Sequence, residues 1–411
     1  MSNITGSDDR GVETSSQTDF TCPSCFSKNI ITFHQIDDVP VHSVLNIPSC
    51  EAAINFPKGT INLGFCKHCG FISNYAFDPV LLRYSSDCEE SQGFSDTFNE
   101  FARQTAEYLI EKYGIYNKTI LEIGCGKGEF LSLLCDLGNN RGIGFDPAYV
   151  EGRPVSPNVG QIKFIKDFYS EKYANYYGDL ICCKMTLEHI NDTGKFIGMI
   201  RRAIGDQLNA IVFFQVPDVI RILRDCSFED IYYEHCSYFS PGSLARLFRK
   251  CGFEILALHT EYDDQYIFLE AKPVDGALHG QVPVEKDYEG LDSLIENFRE
   301  RYRTFIESWN RKLKDMKKQG LRIVIWGSGS KGVSFLTTLK IYDEIEYVVD
   351  INPYRQGTYM AGTGQLIVAP DFLKKYKPDI VIVMNRIYVD EIRRNLNKLG
   401  INPHIMALGS E

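Results

Sequence analysis

Three observations predict an α/β chain with a small metal-held unit in front. Apolar strands alternate with amphipathic helices over residues 119–272, the same alternation restarts at residue 321, and two CxxC pairs stand near the amino end. A chain of 411 residues exceeds one compact core, so several domains are expected. The composition shifts place them at 1–19 (a disordered tail), 20–88 (the cysteine unit), 89–272 (the first α/β domain), 273–320 (a helical connector) and 321–411 (a second, smaller α/β domain).

The bulk composition narrows the function. Apolar residues make up 44% and charged residues 24%, as in an ordinary globular protein. A net charge of −10 without a basic patch argues against nucleic acid as partner. Local sites can still oppose that sign and hold an anionic small molecule. There is no apolar run near the roughly 18–20 residues that span a membrane. The opening MSNITGSDDRGVETSSQTD is polar and acidic, without an apolar signal core, so a cytoplasmic location is expected. There the 13 cysteines should be thiols or metal ligands, not a disulfide framework.

Residues 20–75 are rich in Cys, Pro, Gly and Asn, with short strand-like runs such as NIITFHQI. Cys22, Cys25, Cys66 and Cys69 form CxxC–x40–CxxC. A two-residue gap lets two thiolates face one ion, and two such knuckles complete a tetrahedral four-thiolate site. The long spacer must fold as an insert. A redox pair would normally sit at a strand–helix junction, whereas these pairs sit in a turn-rich stretch. Structural zinc is therefore expected, and a closed four-thiolate site leaves no open position for catalysis.

The next element is a helix over 98–116, read from Phe98, Phe101, Ala102, Ala106, Leu109 and Ile110. Then KTILEIGCG is a strand ending in a glycine turn, and GEFLSLLCDLG is a helix with Gly138 just past its end. RGIGFD, IKFIKDF, GDLICCKMTLEHI and NAIVFFQVP follow as strands, SLARLFRKCGFEILAL as helix and strand, and QYIFLEAKP as a last strand. A glycine turn at a strand's carboxyl end admits a ligand to the backbone. Glu122 and Glu129 crowd this turn, which disfavours a diphosphate and suits a cationic cofactor such as S-adenosylmethionine. Asp146 ends the next strand, where an acid can bind both ribose hydroxyls. Asp167 ends the third, placed to accept from an adenine amine, with Phe168 to pack on the ring. Three such strand ends in succession say far more than a lone glycine turn.

This run resembles class I S-adenosylmethionine-dependent methyltransferases, and DLICCKMTLEHI resembles the segment that closes their cofactor site. The resemblance assigns Gly124 and Gly126 to the methionine part, Asp146 to the ribose and Asp167 to the adenine. The expected cofactor contacts are Glu122, Gly124, Cys125, Gly126, Asp146, Asp167 and Phe168. As side chains, Cys125, Cys182 and Cys183 read as small core residues, and His189 as structural or near the cofactor.

FEDIYYEHCSYFSPGSLARLF, residues 228–248, crowds Tyr232, Tyr233, Glu234, His235 and Tyr238 into seven positions. One imidazole among phenols and a carboxylate suits proton abstraction. On spacing alone the plainer reading is favoured: aromatic core with a satisfied histidine. Context shifts the balance, because the segment follows VFFQVPD, the fifth strand end, beside the acceptor side of such a cleft.

Nearly all of residues 20–411 is similar, in domain order, to the sugar C-methyltransferase family, which joins a four-cysteine zinc domain, a methyltransferase domain and a C-terminal Rossmann-like domain. Its Y-x-E-H-x-S-Y-F-S signature stands here as Tyr232, Glu234, His235, Ser237, Tyr238, Phe239 and Ser240. The resemblance implies that His235 removes a proton beside the ketone of a nucleotide-linked keto sugar, and that the enolate carbon takes the methyl group, with Tyr232 and Glu234 assisting. One region departs from the family. In LLRYSSDCEESQGFSDTF, Cys88 and Glu89 stand where an aromatic is expected, and Tyr84 takes that role.

Residues 288–320 read as a connector helix with one face packed. In IWGSGSKGVSFL, Gly327, Gly329 and Gly332 mark a strand-to-helix turn beside Lys331. Backbone amides with one lysine can hold a phosphate, and this domain is expected to close over the acceptor's nucleotide. A module that only packs, or a second dinucleotide site with Asp350 at the ribose, are the alternatives. The expected acceptor contacts are Tyr233, Tyr238, Lys331 and Asn352. Two rival functions stay open: O- or N-methylation of another small metabolite, and a non-catalytic binding protein on the same fold. The expected partner is a small molecule, with no nucleic acid and no membrane, and the expected assembly a monomer or homodimer.

Overall fold

A computed structural model describes residues 20–153, 161–275, 285 and 287–409. The tail read over 1–19 and part of the connector lie outside them. The N-terminal unit is built on β1 (Ile30–Pro40), the short helix α1 (Cys50–Ile54), β2 (Lys58–Cys66) and β3 (Ile72–Asn74). The first α/β domain runs through α2 (Asp96–Tyr113), β4 (Thr119–Ile123), α3 (Glu129–Gly138), β5 (Arg141–Phe145), β6 (Ile162–Ile165), β7 (Leu180–Lys184), α4 (Thr193–Ile204) and β8 (Ile211–Pro217). It continues with α5 (Val219–Asp225), β9 (Ser237–Tyr238), α6 (Pro241–Lys250), β10 (Phe253–Glu261) and β11 (Tyr266–Pro273). After the long helix α7 (Tyr288–Lys318) come β12 (Ile323–Trp326), α8 (Ser330–Thr338), β13 (Tyr347–Val349), β14 (Leu366–Val368), α9 (Leu373–Tyr376), β15 (Ile380–Val383), α10 (Val389–Lys398) and β16 (His404–Ala407).

The central sheet has seven strands in the order β10-β11-β8-β7-β4-β5-β6. Its five-stranded parallel part, from β8 to β6, is closed by the antiparallel β11 and β10. Strand β7, LICCK, is buried along its length, as a parallel strand covered on both faces must be. Order reverses about β4, whose neighbours are β5 on one side and β7 on the other, so a crevice opens at their carboxyl ends. The C-terminal domain repeats the scheme with five parallel strands, β14-β13-β12-β15-β16.

The N-terminal sheet is not self-contained. Its order is β1-β2-β3-β9, so its last strand comes from the segment just after His235. Ile72 pairs with Tyr238 and Ser73 with Ser237. Helix α7 packs one face, as its pattern suggests: Leu291, Ile295 and Phe298 against this unit, and Trp309 and Leu313 against the C-terminal domain.

His34 shows what that packing costs in polarity. Its ring lies edge-on to Phe298 and Tyr302, with centroids at 5.2 and 4.5 Å, and its Nε2 is buried without a hydrogen-bond partner. Burial pushes its pKa down from 6.5 to about 4. The unfolded chain therefore binds a proton that the folded chain refuses. Stability should be complete above pH 6.5 and fall by about 3 kcal/mol as the pH drops to 4. His34→Phe should flatten that dependence in denaturant titrations run between pH 7 and 4.5; an unchanged slope would clear His34 of the effect.

Candidate active site

The crevice widens into one cavity of about 1190 Å³ lined by all three parts of the chain. On its floor lies the turn after β4. Gly124 and Gly126 have φ of 72° and 54°, the left-handed region that favours glycine. A Cβ at Gly124 would stand 2.0 Å from Thr186 Oγ1, and one at Gly126 would stand 3.1 Å from Glu90 Oε1. The turn is thus kept open by the absence of side chains. Asp146 follows β5 directly. Its Oδ2 accepts from Gly126 N at 2.9 Å and its Oδ1 from Ala148 N at 2.7 Å. Each oxygen keeps a lone pair for a ribose hydroxyl. Burial pushes the Asp146 carboxyl up, and those two amides pull it back.

Asp167 lies two residues beyond β6. It accepts from Phe168 N at 2.8 Å, from Tyr173 Oη at 2.7 Å and from Lys172, which with Tyr173 draws its pKa down to about 2. Phe168 is 57% exposed at the cavity wall, open for a flat ring to lie on. Cys125 lines the cavity through the same turn. Glu122 Oε2 is buried without a hydrogen-bond partner. Left-handed glycines, a paired-amide aspartate and an unsatisfied buried carboxylate oxygen fit the sugar, amino acid and positive charge of S-adenosylmethionine.

The opposite wall carries the aromatic segment. His235 Nε2 lies 2.8 Å from Tyr232 Oη and 4.0 Å from Glu188 Oε1, while its Nδ1 has no hydrogen-bond partner. Burial, then the nearby His189 and Lys331, holds the imidazole well below 6.5, so it is neutral. Glu188 was not singled out from the sequence. Both its oxygens are buried without partners, and burial pushes it up to about 8. The ligating atoms of Glu188, His189 and His235 all lie within 4.8 Å of one another. His189 Nδ1 donates to Glu234 O at 3.0 Å and lies 3.1 Å from Tyr84 Oη. Tyr84 thus stands at the cavity beside the two histidines, and burial raises its phenol well above 10.

Glu234 lines the cavity, but its oxygens serve residues 42–43. It accepts from His42 Nδ1 at 3.1 Å, from Ser43 N at 3.0 Å and from the Ser43 hydroxyl. Arg83 N donates to His42 Nε2 at 2.9 Å, which fixes the His42 proton on Nδ1. Glu234 therefore ties the N-terminal unit to the cavity wall.

Two of the expected acceptor contacts, Tyr233 and Tyr238, are not among the residues that line the cavity. Tyr233 turns away from the cavity: its hydroxyl accepts from Asp78 N at 2.9 Å, and its ring fills the space beside Gly59 and against Phe77. Tyr238 is buried in β9, inside the core that joins the N-terminal unit to α7. Tyr232 and Tyr233 enter a turn closed by His235 N donating to Tyr232 O at 3.2 Å, and their side chains part there, Tyr232 toward the cavity and Tyr233 toward Asp78 and Gly59. Lys331 and Asn352 do line it. Lys331 Nζ binds Asp230 Oδ2 at 2.6 Å, an acid that also accepts from Arg221 at 2.7 Å. Asn352 Nδ2 donates to Glu89 Oε1 at 2.8 Å, and Glu89 takes Arg153 through two bonds of 2.7 and 3.0 Å. The unexpected Glu89 is thus a buried joint between two domains. In the C-terminal domain Asp350 repeats the geometry of Asp146: its Oδ2 accepts from Ser328 N at 2.9 Å and its Oδ1 from Asn352 N at 2.8 Å.

Remote from the cavity, the four cysteines converge. Cys22 Sγ lies 3.7 Å from Cys69 Sγ, and Cys25 Sγ lies 3.6 Å from Cys66 Sγ. A tetrahedral site with metal–sulfur bonds of about 2.3 Å has sulfur edges of about 3.8 Å. Four thiols at that spacing fit a metal ion.

Fold and site define a S-adenosylmethionine-dependent methyltransferase of the class I Rossmann-like architecture. Residues 94–258 match the model of a methyltransferase domain, and residues 276–402 match that of a C-methyltransferase C-terminal domain. Among known proteins, the chain is 25% identical over 323 residues to the C-methyltransferase NovU of Streptomyces niveus, covering 71% of this chain and 72% of that one. Solved structures similar to this chain include a putative S-adenosylmethionine-dependent methyltransferase of Listeria monocytogenes, at 11% identity and a TM-score of 0.33, covering 43% of this chain and 100% of that one. Another is magnesium protoporphyrin IX methyltransferase of Synechocystis PCC 6803 with bound SAH, at 13% identity and a TM-score of 0.35, covering 43% of this chain and 84% of that one.

Proposed function

We propose that the protein methylates the carbon next to the ketone of a nucleotide-linked keto sugar, with His235 as the base. One observation carries the reading: the cofactor turn and the Tyr232–His235 pair face each other across a single cavity that the C-terminal domain also closes. At about 1190 Å³ it exceeds the usual size for one small ligand, as a site for cofactor and acceptor together requires. The bound cofactor supplies an electrophilic methyl group. His235, kept neutral by burial, can take the proton beside the carbonyl on Nε2 once the Tyr232 hydroxyl, 2.8 Å away, turns from that nitrogen to the substrate. Its Nε2 is the nitrogen whose neighbours, Tyr232 and Glu188, line the cavity. Tyr84 and Tyr232 are hydroxyl donors for the enolate oxygen.

The C-terminal domain is the proposed seat of the nucleotide. Its glycine turn, Lys331 and the Asp350 carboxylate border the same cavity. Lys331 reaches it as a shared charge, because Asp230 neutralises one of the two cations beside it. The four-cysteine site is proposed to hold structural zinc. Thirteen cysteines without a disulfide among them suit a reducing compartment such as the cytoplasm. Among the described residues, no helix is long and apolar enough to cross a membrane.

Solvent deuterium exchange on a panel of nucleotide-linked keto sugars tests the reaction. The true acceptor should take up one deuterium beside its ketone in the presence of S-adenosylhomocysteine, without methyl transfer. If an acceptor is methylated on oxygen or nitrogen and no carbon exchanges, the carbon reading fails.

A further inference from the structure

Glu188 is a buried acid that the reaction described above leaves without a task. It sits in the turn after β7, where His189 N donates to Thr186 O at 3.0 Å and Ile190 N to Leu187 O at 3.1 Å. Leu187 anchors that turn in the core, and Cys236 N donates to Glu188 O at 3.0 Å, so the backbone is fixed from two sides. The side chain lines the cavity at 1% exposure, yet neither of its oxygens has a hydrogen-bond partner. A carboxyl group buried in that state destabilises the fold until something completes it. Its Oε1 lies 4.0 Å from His235 Nε2, the nitrogen assigned to the substrate proton.

The surroundings decide which form of the acid is held there. Burial pushes the imidazoles of His189 and His235 below 6.5, so both are neutral. It pushes the phenols of Tyr84, Tyr232 and Tyr266 well above 10, so they keep their protons. The thiols of Cys183, on β7, and Cys236 are raised as well, the latter to about 12. The charges nearby already have partners: Lys331 and Arg221 bind Asp230, and Glu234 accepts from His42 and Ser43. Among the described residues, no lysine or arginine forms an ion pair with Glu188. Burial therefore keeps the carboxyl protonated up to about 8. A neutral carboxyl group has an O–H to donate, which a carboxylate lacks, and an acid kept neutral in an apolar wall can serve an oxyanion in that way.

We propose that Glu188, as a neutral carboxyl group, donates a hydrogen bond to the enolate oxygen and completes, with Tyr84 and Tyr232, the oxyanion site of the reaction. This rests on the keto sugar reading with His235 as base. The ketone oxygen is two bonds from the carbon that faces Nε2, so it lies beside that nitrogen, which Tyr232 Oη at 2.8 Å and Glu188 Oε1 at 4.0 Å flank. The C–H bond breaks, its proton goes to Nε2, its electron pair forms the C=C bond, and the carbonyl pair moves onto the oxygen. Glu188 keeps its proton and shares it with that oxygen. When the carbon takes a methyl group, or a deuteron back from His235, the carbonyl re-forms and Glu188 is unchanged. After methylation the imidazolium proton leaves to solvent. A donor fixed in advance in a water-poor wall acts where the charge develops.

Deuterium exchange at the acceptor carbon, with S-adenosylhomocysteine bound, tests the assignment. Wild-type exchange should fall as the pH rises beyond 8, because a Glu188 carboxylate would repel the enolate; the hydrogen bond to the oxyanion places that fall above the resting value. Glu188→Leu should lower exchange roughly 10²- to 10³-fold, the loss for one oxyanion donor. Glu188→Gln keeps a neutral N–H donor, so it should lose only about 3- to 10-fold, and its alkaline fall should be gone. Binding of S-adenosylhomocysteine checks that each variant is folded. A Glu188→Gln variant as slow as Glu188→Leu would make the working form a carboxylate and overturn the proposal. An alkaline fall that survives in Glu188→Gln would overturn it too, by placing that proton on another group. So would wild-type exchange that climbs steadily to about pH 9, a measurement that needs no variant. If no keto sugar exchanges with the wild type at any pH, the keto sugar reading itself fails, and the oxyanion assignment with it.

Discussion

His235→Ala should abolish deuterium uptake at the acceptor carbon and lower methyl transfer by roughly 10²- to 10⁴-fold, the range for losing a general base. Affinity for S-adenosylhomocysteine should stay within about 2-fold, because the ring's partners are Tyr232, Glu188 and His189, none of them part of the glycine turn or the Asp146 site. Exchange and binding thus separate the base from the cofactor site in one variant. The pH profile adds an independent readout. His235 is held well below 6.5 by burial, so its protonated form gains population only in acid. Exchange should therefore hold level from pH 8 down to about 6.5 and decline below the depressed pKa, the reverse of an exposed histidine that loses half its base form near 6.5. Exchange that survives in His235→Ala, with the thermal midpoint unchanged, would move the base to another group. Glu188 is the next candidate, at 4.0 Å with both oxygens unpaired.

What the sequence revealed of this site follows from where each signal lives. The glycine turn, Asp146 and Asp167 belong to strand–turn units whose geometry is local, so a few adjacent residues announce them. The four cysteines announce themselves by a spacing that suits a metal. His42 and Ser43 gave no signal at all. They reach Glu234 only because the insert between β1 and β2 folds back across some 190 positions of sequence. Glu89 looked like a departure from a pattern, and its use as a joint to Asn352 depends on two domains docking. Tyr233 and Tyr238 stand next to the cavity residues in sequence but do not line the cavity. The turn that His235 N closes on Tyr232 O separates Tyr232 from Tyr233, and β9 carries Tyr238 into the N-terminal sheet.

Cys66→Ser should remove about one zinc per chain and, less obviously, should damage the chemistry more than cofactor binding. The sequence suggests a structural metal site, and the structure gives it a longer reach. Cys66 ends β2 and Cys69 sits in the turn that delivers β3. Strand β3 then pairs with β9, while Asn74 N and Ser73 Oγ both donate to Cys236 O at 2.9 Å, the carbonyl next to His235. From the other side, Cys236 N donates to Glu188 O at 3.0 Å, and Ser237 Oγ to Ile190 O at 2.7 Å. His235 is therefore held between the four-cysteine hairpin and the turn after β7 in the central domain. Four-thiolate sites in small domains contribute folding free energy of order 10 kcal/mol, too much for three short strands to replace. With the hairpin loosened, the backbone of residue 236 keeps only one of its two anchors. A displacement of about 1 Å at a reacting group can cost about 100-fold in rate. The expected result is a fall of that order in deuterium exchange, with S-adenosylhomocysteine affinity nearly retained, because Gly126, Asp146 and Asp167 bond within the central domain. Chelation of zinc from the wild type should reproduce both numbers, and restored metal should restore exchange. A metal-free protein that exchanges at the full rate would show that the cluster only stabilises the fold and that β9 is positioned without it.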